Sequence, residues 1–272
     1  MKLIRYLLST LLLVNSGAGL AIEHLKLSTT TSTENSGLLT VLNPAFENKY
    51  NVKIDVIAVG TGKALKIGSQ GDVDVVFVHA PAAELKYVET GGFIDRKAVM
   101  HNDFVIVGPK SDPAKTASAN SAIEALQLIA KFRATFVSRG DDSGTDKKEK
   151  ALWRAAQIKP EGKWYIQAGQ GMGAVLKIAD EKQAYTLSDR GTQIAYADKM
   201  SLVVTYQGDK VLFNPYHVMA VNPEKYPHVK YDLARKYIEF VTGVEGQKII
   251  NTFRKFGEQL FYGDDGKQYI EK

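Results

Sequence analysis

The sequence predicts an α/β protein in which strands and helices alternate through two compact lobes. Three observations carry this. Apolar runs of strand length alternate with segments of helical spacing along the whole chain. The run Val75-Val76-Phe77-Val78 is continuously apolar, as expected for a strand buried on both faces of a largely parallel sheet. The alternation restarts near Ser121 without an internal repeat, a low-complexity tract or a long linker, which fits two lobes joined by short crossings.

Taken in order, residues 24–29 alternate like a strand. Leu38, Leu39, Val41, Leu42, Ala45 and Phe46 recur at helical spacing, with Asn35 or Ser36 as the expected N-cap and a break or kink at Pro44. Residues 52–59 read as a second strand, 61–67 as a short helix, 74–78 as a strand, 83–88 as a helix and 104–107 as a strand. In the second run, 121–132 is helical, 135–137 a strand, 143–156 and 171–180 helices, and 184–187 a strand. Residues 211–221 look extended, 231–241 form an amphipathic helix, and 245–256 continue it as helix.

The N-terminus reads as an address. Lys2 and Arg5 precede an apolar stretch over residues 6–14, and small residues lead to Gly19-Leu20-Ala21. This order predicts a secretory signal peptide, residues 1–21, cut after Ala21, and its apolar run is too short to span a bilayer. Its removal lowers the net charge from +5 to +3. Lys and Arg are scattered, with no basic stripe, so no nucleic-acid partner is expected. The 272 residues contain no Cys. That excludes disulfides, thiolate metal sites, cysteine nucleophiles and a lipid-anchored cysteine. A soluble exported protein, placed most simply in a periplasm, is the expectation.

Enzymatic signatures are weak. His24, His79, His101, His217 and His228 show no metal-ligand spacing, and no G-x-S-x-G elbow occurs. Gly60-Thr61-Gly62-Lys63 is too short for a P-loop. An exported hydrolase using Ser/Thr and the Asp141–Asp142 pair is the alternative from another class. It would need turnover and usually a metal, and no ligand-spaced cluster supports one.

Four small, polar stretches stand just before helices: Thr29 to Thr33, Gly60 to Lys63, Ser138 to Thr145, and Gly169 to Gly173. A helix start exposes unpaired N–H groups and a partial positive charge, glycine admits close approach, and Ser or Thr add hydroxyl donors. Each is an ordinary cap or turn when taken alone. Four together in one exported α/β chain point to an anion site.

At these junctions the chain resembles the tungstate-binding proteins of ABC transporters. The blocks are Thr-Thr-Thr-Ser-Thr at 29–33 with the following Asn35 to Leu39, Ala58 to Leu65, Gly71 to Asp74, and Val78 to Glu84. They continue through Asn102 to Pro109, Ser138 to Thr145, Gly169 to Gly173, Gln183 to Thr192 and Leu212 to Tyr216, so that the resemblance runs in order through nearly the whole mature chain. His217 departs from it, standing where the family pattern has a glycine. The resemblance implies a two-lobed periplasmic binding protein fold of the two-crossover, class II type. One lobe would hold residues 22–102 and 215–272, the other 103–214, and the two would close like a hinge on the ligand. Carried over by position, it implies an oxyanion held by Thr30, Thr31, Ser32, Thr61, Arg139, Ser143, Thr145, Gly171 and Met172, with Arg139 governing the preference for tungstate. No cofactor and no metal site are implied beyond the tungstate oxyanion. The implied partner is an inner-membrane ABC permease, and the implied state is a monomer.

Tungstate is a fully deprotonated tetrahedral dianion near neutral pH, so its oxygens only accept hydrogen bonds. Its site should offer donors and no free carboxylate. Phosphate carries a proton and gains from an acceptor such as Asp141 or Asp142. Either Asp pairing with Arg139 or turning away therefore favours tungstate. Molybdate, nearly identical in shape and charge, is not separated from tungstate by this reasoning.

Overall fold

The structure is a computed structural model and describes residues 22–264; the expected leader, residues 1–21, lies outside the described residues. The chain enters through β1 (Glu23–Thr30), α1 (Thr31–Ser36), α2 (Leu39–Tyr50), β2 (Val52–Val59), α3 (Thr61–Ser69), β3 (Val75–Val78) and α4 (Pro81–Glu89). The long strand β4 (Phe93–Gly108) carries it into α5 (Ala122–Lys131), β5 (Phe136–Ser138), α6 (Gly144–Ala155), β6 (Tyr165–Gln167), α7 (Met172–Glu181), β7 (Thr186–Asp189), α8 (Arg190–Ala195) and β8 (Val203–Tyr206). It returns through β9 (Phe213–Val221) to α9 (Tyr231–Thr242), α10 (Val244–Thr252) and the short strands β10 (Arg254–Lys255), β11 (Glu258–Gln259) and β12 (Tyr262–Gly263).

The larger sheet has the order β12-β4-β9-β3-β1-β2. β1 runs parallel to β2 and β3, whereas β9 is antiparallel to both β3 and β4. The far end of β4, Phe104 to Gly108, pairs antiparallel with β7 and β8. One strand is thus shared by both lobes, and β9 returns beside it. β5 and β6 are parallel, and a bridge from Phe136 to Tyr185 ties them to the segment leading into β7.

Alternation of side chains explains the layers. In β3, Val75 and Phe77 pack with Leu42, Phe46, Tyr237 and Val218, while Val76 and Val78 pack with Ala64, Leu65 and Phe93 on the other face. In the second lobe Phe104 and Ile106 meet Phe136 and Trp153, while Val105 and Val107 meet Val175 and Leu176. Both faces of these strands are covered.

Several expectations are corrected. The sheets are mixed rather than largely parallel, because the two strands joining the lobes run antiparallel to each other. Residues 104–107 are only the far end of the 16-residue β4. Its nearer half is masked by Asp95, Arg96 and Lys97 and by an irregularity between Ile94 and Lys97, with Asp95 at φ 54°. The N-cap position of the Leu38–Phe46 helix, α2, is Leu38 and not Asn35 or Ser36, although Ser36 Oγ accepts from Leu38 N–H at 3.3 Å; a separate short helix, α1, capped by Thr30 and ended at Gly37 (φ 84°), precedes it. α2 continues through Pro44, which is exposed, so the carbonyl left without an N–H partner lies on the solvent side. Helix does not continue to residue 256; α10 ends at Thr252 and the chain turns into β10.

Candidate functional site

The starts of α1, α3, α6 and α7 come together where the two lobes touch. β1 and β2 are adjacent and parallel, so they deliver α1 and α3 to the same sheet end. β5 delivers Arg139 at its carboxyl end, and the following loop turns through Gly140 (φ 60°) and Asp142 (φ 59°) into α6. Gly140 is needed there: its φ is left-handed, and an added Cβ would meet Gln167 Cβ at 3.1 Å.

Hydrogen bonds join these helix starts across the two lobes. Gly144 N–H donates to Thr61 Oγ1 at 2.7 Å, and Gly62 N–H to the Asp142 carbonyl at 3.4 Å. Arg139 Nη2 donates to Thr31 Oγ1 at 3.3 Å, and Thr192 Oγ1 to the Ser32 carbonyl at 3.4 Å. A Cβ built on Gly171 would lie 3.4 Å from Thr31 Oγ1, which places the start of α7 against the same threonine.

Arg139 is 1% exposed. Nη2 is bonded to Asp141 Oδ2 at 2.5 Å, while Nε and Nη1 have no hydrogen-bond partner among the described residues. The Thr145 hydroxyl, buried in the first turn of α6, is also unpartnered there. Buried donors without acceptors are costly, most of all on a charged group. Asp189 Oδ2, at the end of β7, is a buried acceptor with no partner among the described residues, whereas the carboxylates after β5 have partners. Asp141 Oδ1 accepts from Ser143 N–H at 3.2 Å, and Asp142, mostly exposed, pairs with Lys147. Asp146 accepts from Gly140 N–H at 3.0 Å and from Lys150 Nζ at 2.6 Å. The junction therefore has spare donors at Arg139 and Thr145; Arg139 is ion-paired with Asp141 of its own loop, while the Asp142 carboxylate lies against Gly62 at the start of α3.

The nine positions singled out from sequence all lie at this junction, but not all through their side chains. Thr31, Ser32, Thr61, Arg139 and Thr145 bring polar side-chain atoms to it. The Thr30 hydroxyl is taken up in capping α1, accepting from Thr33 N–H at 3.2 Å. Ser143 Oγ caps α6, accepting from Asp146 N–H at 3.1 Å. Gly171 is the N-cap of α7. Met172 is buried among Val105, Val107 and Val175, so only its backbone N–H, in the first turn of α7, is available.

Sequence reasoning missed a buried polar chain behind Ser32. Ser32 Oγ lies 3.0 Å from His79 Nε2, and His79 Nδ1 lies 2.9 Å from Asn214 Oδ1. Asn214 Nδ2 donates to Asn102 Oδ1 at 2.7 Å, and these two asparagines are register partners where β4 and β9 pass between the lobes. The partners are far apart in sequence, and no local pattern marks them. His217, the departure from the family pattern, is buried against Glu84 at 3.0 Å.

Glu149, on the inner face of α6, was also missed. Its Oε1 accepts from Trp153 Nε1 at 3.1 Å and Tyr165 OH at 2.7 Å. Burial pushes its carboxyl up to about 7, only partly opposed by these hydrogen bonds. Among the described residues no group of three or more His, Asp or Glu is placed to hold a metal ion, and no helix is long and apolar enough to cross a membrane.

Two α/β lobes crossed twice by paired strands, with helix starts facing a shared cleft, are the architecture of a solute-binding protein. The model of the PBP superfamily domain matches residues 16–245. A solved structure of the tungstate ABC transporter from Geobacter sulfurreducens is 62% identical, with a TM-score of 0.79, over 85% of this chain and 99% of that one. The tungstate-binding protein TupA from Desulfovibrio alaskensis G20 is 44% identical, with a TM-score of 0.75, over 89% of this chain and 99% of that one. The tungstate-binding protein TupA of Peptoclostridium acidaminophilum is 45% identical over 86% of this chain and 84% of its own length. The chain belongs to the PBP superfamily and, within it, to the family of tungstate-binding proteins of ABC transporters. This is a family of solute-binding proteins of transporters, not of enzymes.

Proposed function

We propose that this chain captures tungstate in the periplasm, after export by residues 1–21, and delivers it as a monomer to an inner-membrane ABC permease. The observation that carries the reading is Arg139: a buried guanidinium with two nitrogens unpartnered among the described residues, at a junction of helix starts where Asp141 is engaged with the third. A dianion that only accepts hydrogen bonds supplies what those donors lack. The side chains of Thr31, Ser32, Thr61, Arg139 and Thr145 would hold it, with Thr30 and Ser143 shaping their helix starts and Gly171 and Met172 offering backbone. No cofactor enters this reading. The lobes would be residues 22–102 with 215–272, and residues 103–214, hinged where β4 and β9 cross. Molybdate fits the same chemistry. Phosphate fits less well at Arg139, because Asp141 is already engaged by Arg139 and by Ser143 N–H and is not free to accept its proton.

Tungstate at 1,000 times its Kd should stabilise the protein by about 4 kcal/mol, read as a rise in melting temperature. No rise with tungstate together with a rise with phosphate would contradict the reading. Thr145→Val keeps the side chain's shape and removes its hydroxyl. It should weaken tungstate binding about tenfold, roughly one hydrogen bond, and leave the ligand-free melting temperature unchanged or higher. Calorimetry showing wild-type affinity would remove Thr145 from the site. Arg139→Lys keeps the charge but loses the planar fork, and should lower affinity while the protein still folds.

A further inference from the structure

We propose that His79 is a positioning residue for oxyanion recognition: it decides whether Ser32 gives its hydroxyl proton to the bound oxyanion or keeps it turned into the protein. The inference rests on the tungstate-binding reading and adds to it how an acceptor-only dianion is told from one that carries a proton.

The geometry fixes the choice. The His79 ring is 3% exposed and stacked on Tyr216, with centroids 4.5 Å apart and planes 19° from parallel. A Cβ on Gly144 would meet His79 Cε1 and its carbonyl oxygen at 3.1 Å, so the ring is also held from the α6 side. Asn214 Nδ2 donates to Asn102, so Asn214 Oδ1 faces His79 as an acceptor and Nδ1 carries hydrogen. In a neutral ring Nε2 is then bare and takes the Ser32 proton across 3.0 Å.

Ser32 Oγ has one hydrogen and two lone pairs. Thr30 Oγ1 lies 3.0 Å away. Thr30 Oγ1 accepts from Thr33 N–H and lies 2.7 Å from Thr33 Oγ1; Thr33 Oγ1 is assigned as donor to Thr30, and the Thr30 hydrogen to Ser32. With Nε2 bare, Ser32 spends its hydrogen on His79 and turns a lone pair to the site. With hydrogen on Nε2, both lone pairs are filled and the Ser32 hydrogen points at the oxyanion. A lone pair repels tungstate and suits a protonated phosphate; a hydrogen does the reverse. The hydrogen reaches Nε2 either by proton uptake or by exchange of tautomer with reversal of the Asn214 amide.

The groups facing His79 come from several elements. Burial lowers its affinity for a proton and Arg139, after β5, adds to that; Asp189 at the end of β7, Asn214 on β9 and Glu84 on α4 act the other way. A dianion arriving at Arg139 offsets the Arg139 charge and makes hydrogen on Nε2 easier to hold.

The test is the ¹⁵N spectrum of the His79 ring in the wild-type protein, before and after tungstate, with binding followed in parallel by calorimetry. Nε2 should move from the position of a bare ring nitrogen to that of an N–H. His79→Phe should bind tungstate at least tenfold more weakly, and His79→Gln, whose amide can donate to Ser32, should recover most of that loss. Tungstate binding with Nε2 still bare, or His79→Phe binding as wild type, would overturn the role of His79 and leave the tungstate reading standing. No tungstate binding by the wild type would overturn both.

Discussion

Arg139→Met should lower tungstate affinity by a factor on the order of 10² to 10³. Nε and Nη1 are each a charged donor in a water-poor pocket, and a charge-assisted hydrogen bond contributes about 1.5–3 kcal/mol. Losing two such bonds, each in the lower part of that range, removes roughly 3–4 kcal/mol, at 1.4 kcal/mol per tenfold. The ligand-free protein should change far less. The variant no longer buries two unpartnered N–H groups, which offsets the loss of the ion pair with Asp141, and Asp141 retains some exposure and its bond from Ser143 N–H. Calorimetry for affinity and urea melts for stability separate the two effects. A variant that loses several kcal/mol of folding stability while binding tungstate normally would mean that Arg139 is a structural ion pair.

Glu149 should make the ligand-free protein less stable as pH rises through neutrality. In the unfolded chain this carboxyl ionises near 4.5; in the folded protein burial holds the proton to about 7. Between those values the folded state binds more protons than the unfolded one, so stability falls as pH increases. The contribution is fully present below about pH 4.5 and lost above about pH 7. A displacement of that size corresponds to roughly 3 kcal/mol. Glu149→Gln keeps an oxygen for Trp153 Nε1 and Tyr165 OH but has no proton to lose. Urea melts at pH 5 and pH 8 should show the variant losing about 2–3 kcal/mol less than wild type between the two. Equal losses would show that Glu149 does not titrate in this range.

Much of the site was legible because its signals are local. A Ser/Thr or Gly run before a helix is a short-range pattern, and Thr31, Thr61, Thr145 and Gly171 all sit at helix starts. Arg139 came from the family resemblance, not from a local pattern. What a residue does with its side chain depends on neighbours that a local pattern does not reach: Met172 looks like part of a ligand loop, yet its thioether belongs to the core. His79, Asn102 and Asn214 form one chain only because β3, β4 and β9 are neighbours in the sheet. In the fold, the parallel strands β1 and β3 were readable from continuous or alternating apolar runs. The joining strand β4 was not, because a strand spanning two lobes changes environment along its length and carries polar residues where it passes between them. α1 was missed because six polar residues have no apolar face to give a period.

Competitive calorimetry on the ligand-free protein tests the central claim most directly, with tungstate, molybdate, phosphate and sulfate each titrated alone and then against a tungstate-saturated sample. Tungstate should bind at a single site per chain, and neither phosphate nor sulfate should displace it at equal concentration. Absence of heat with tungstate, or displacement of tungstate by phosphate, would contradict a site built around unpartnered donors for an acceptor-only dianion.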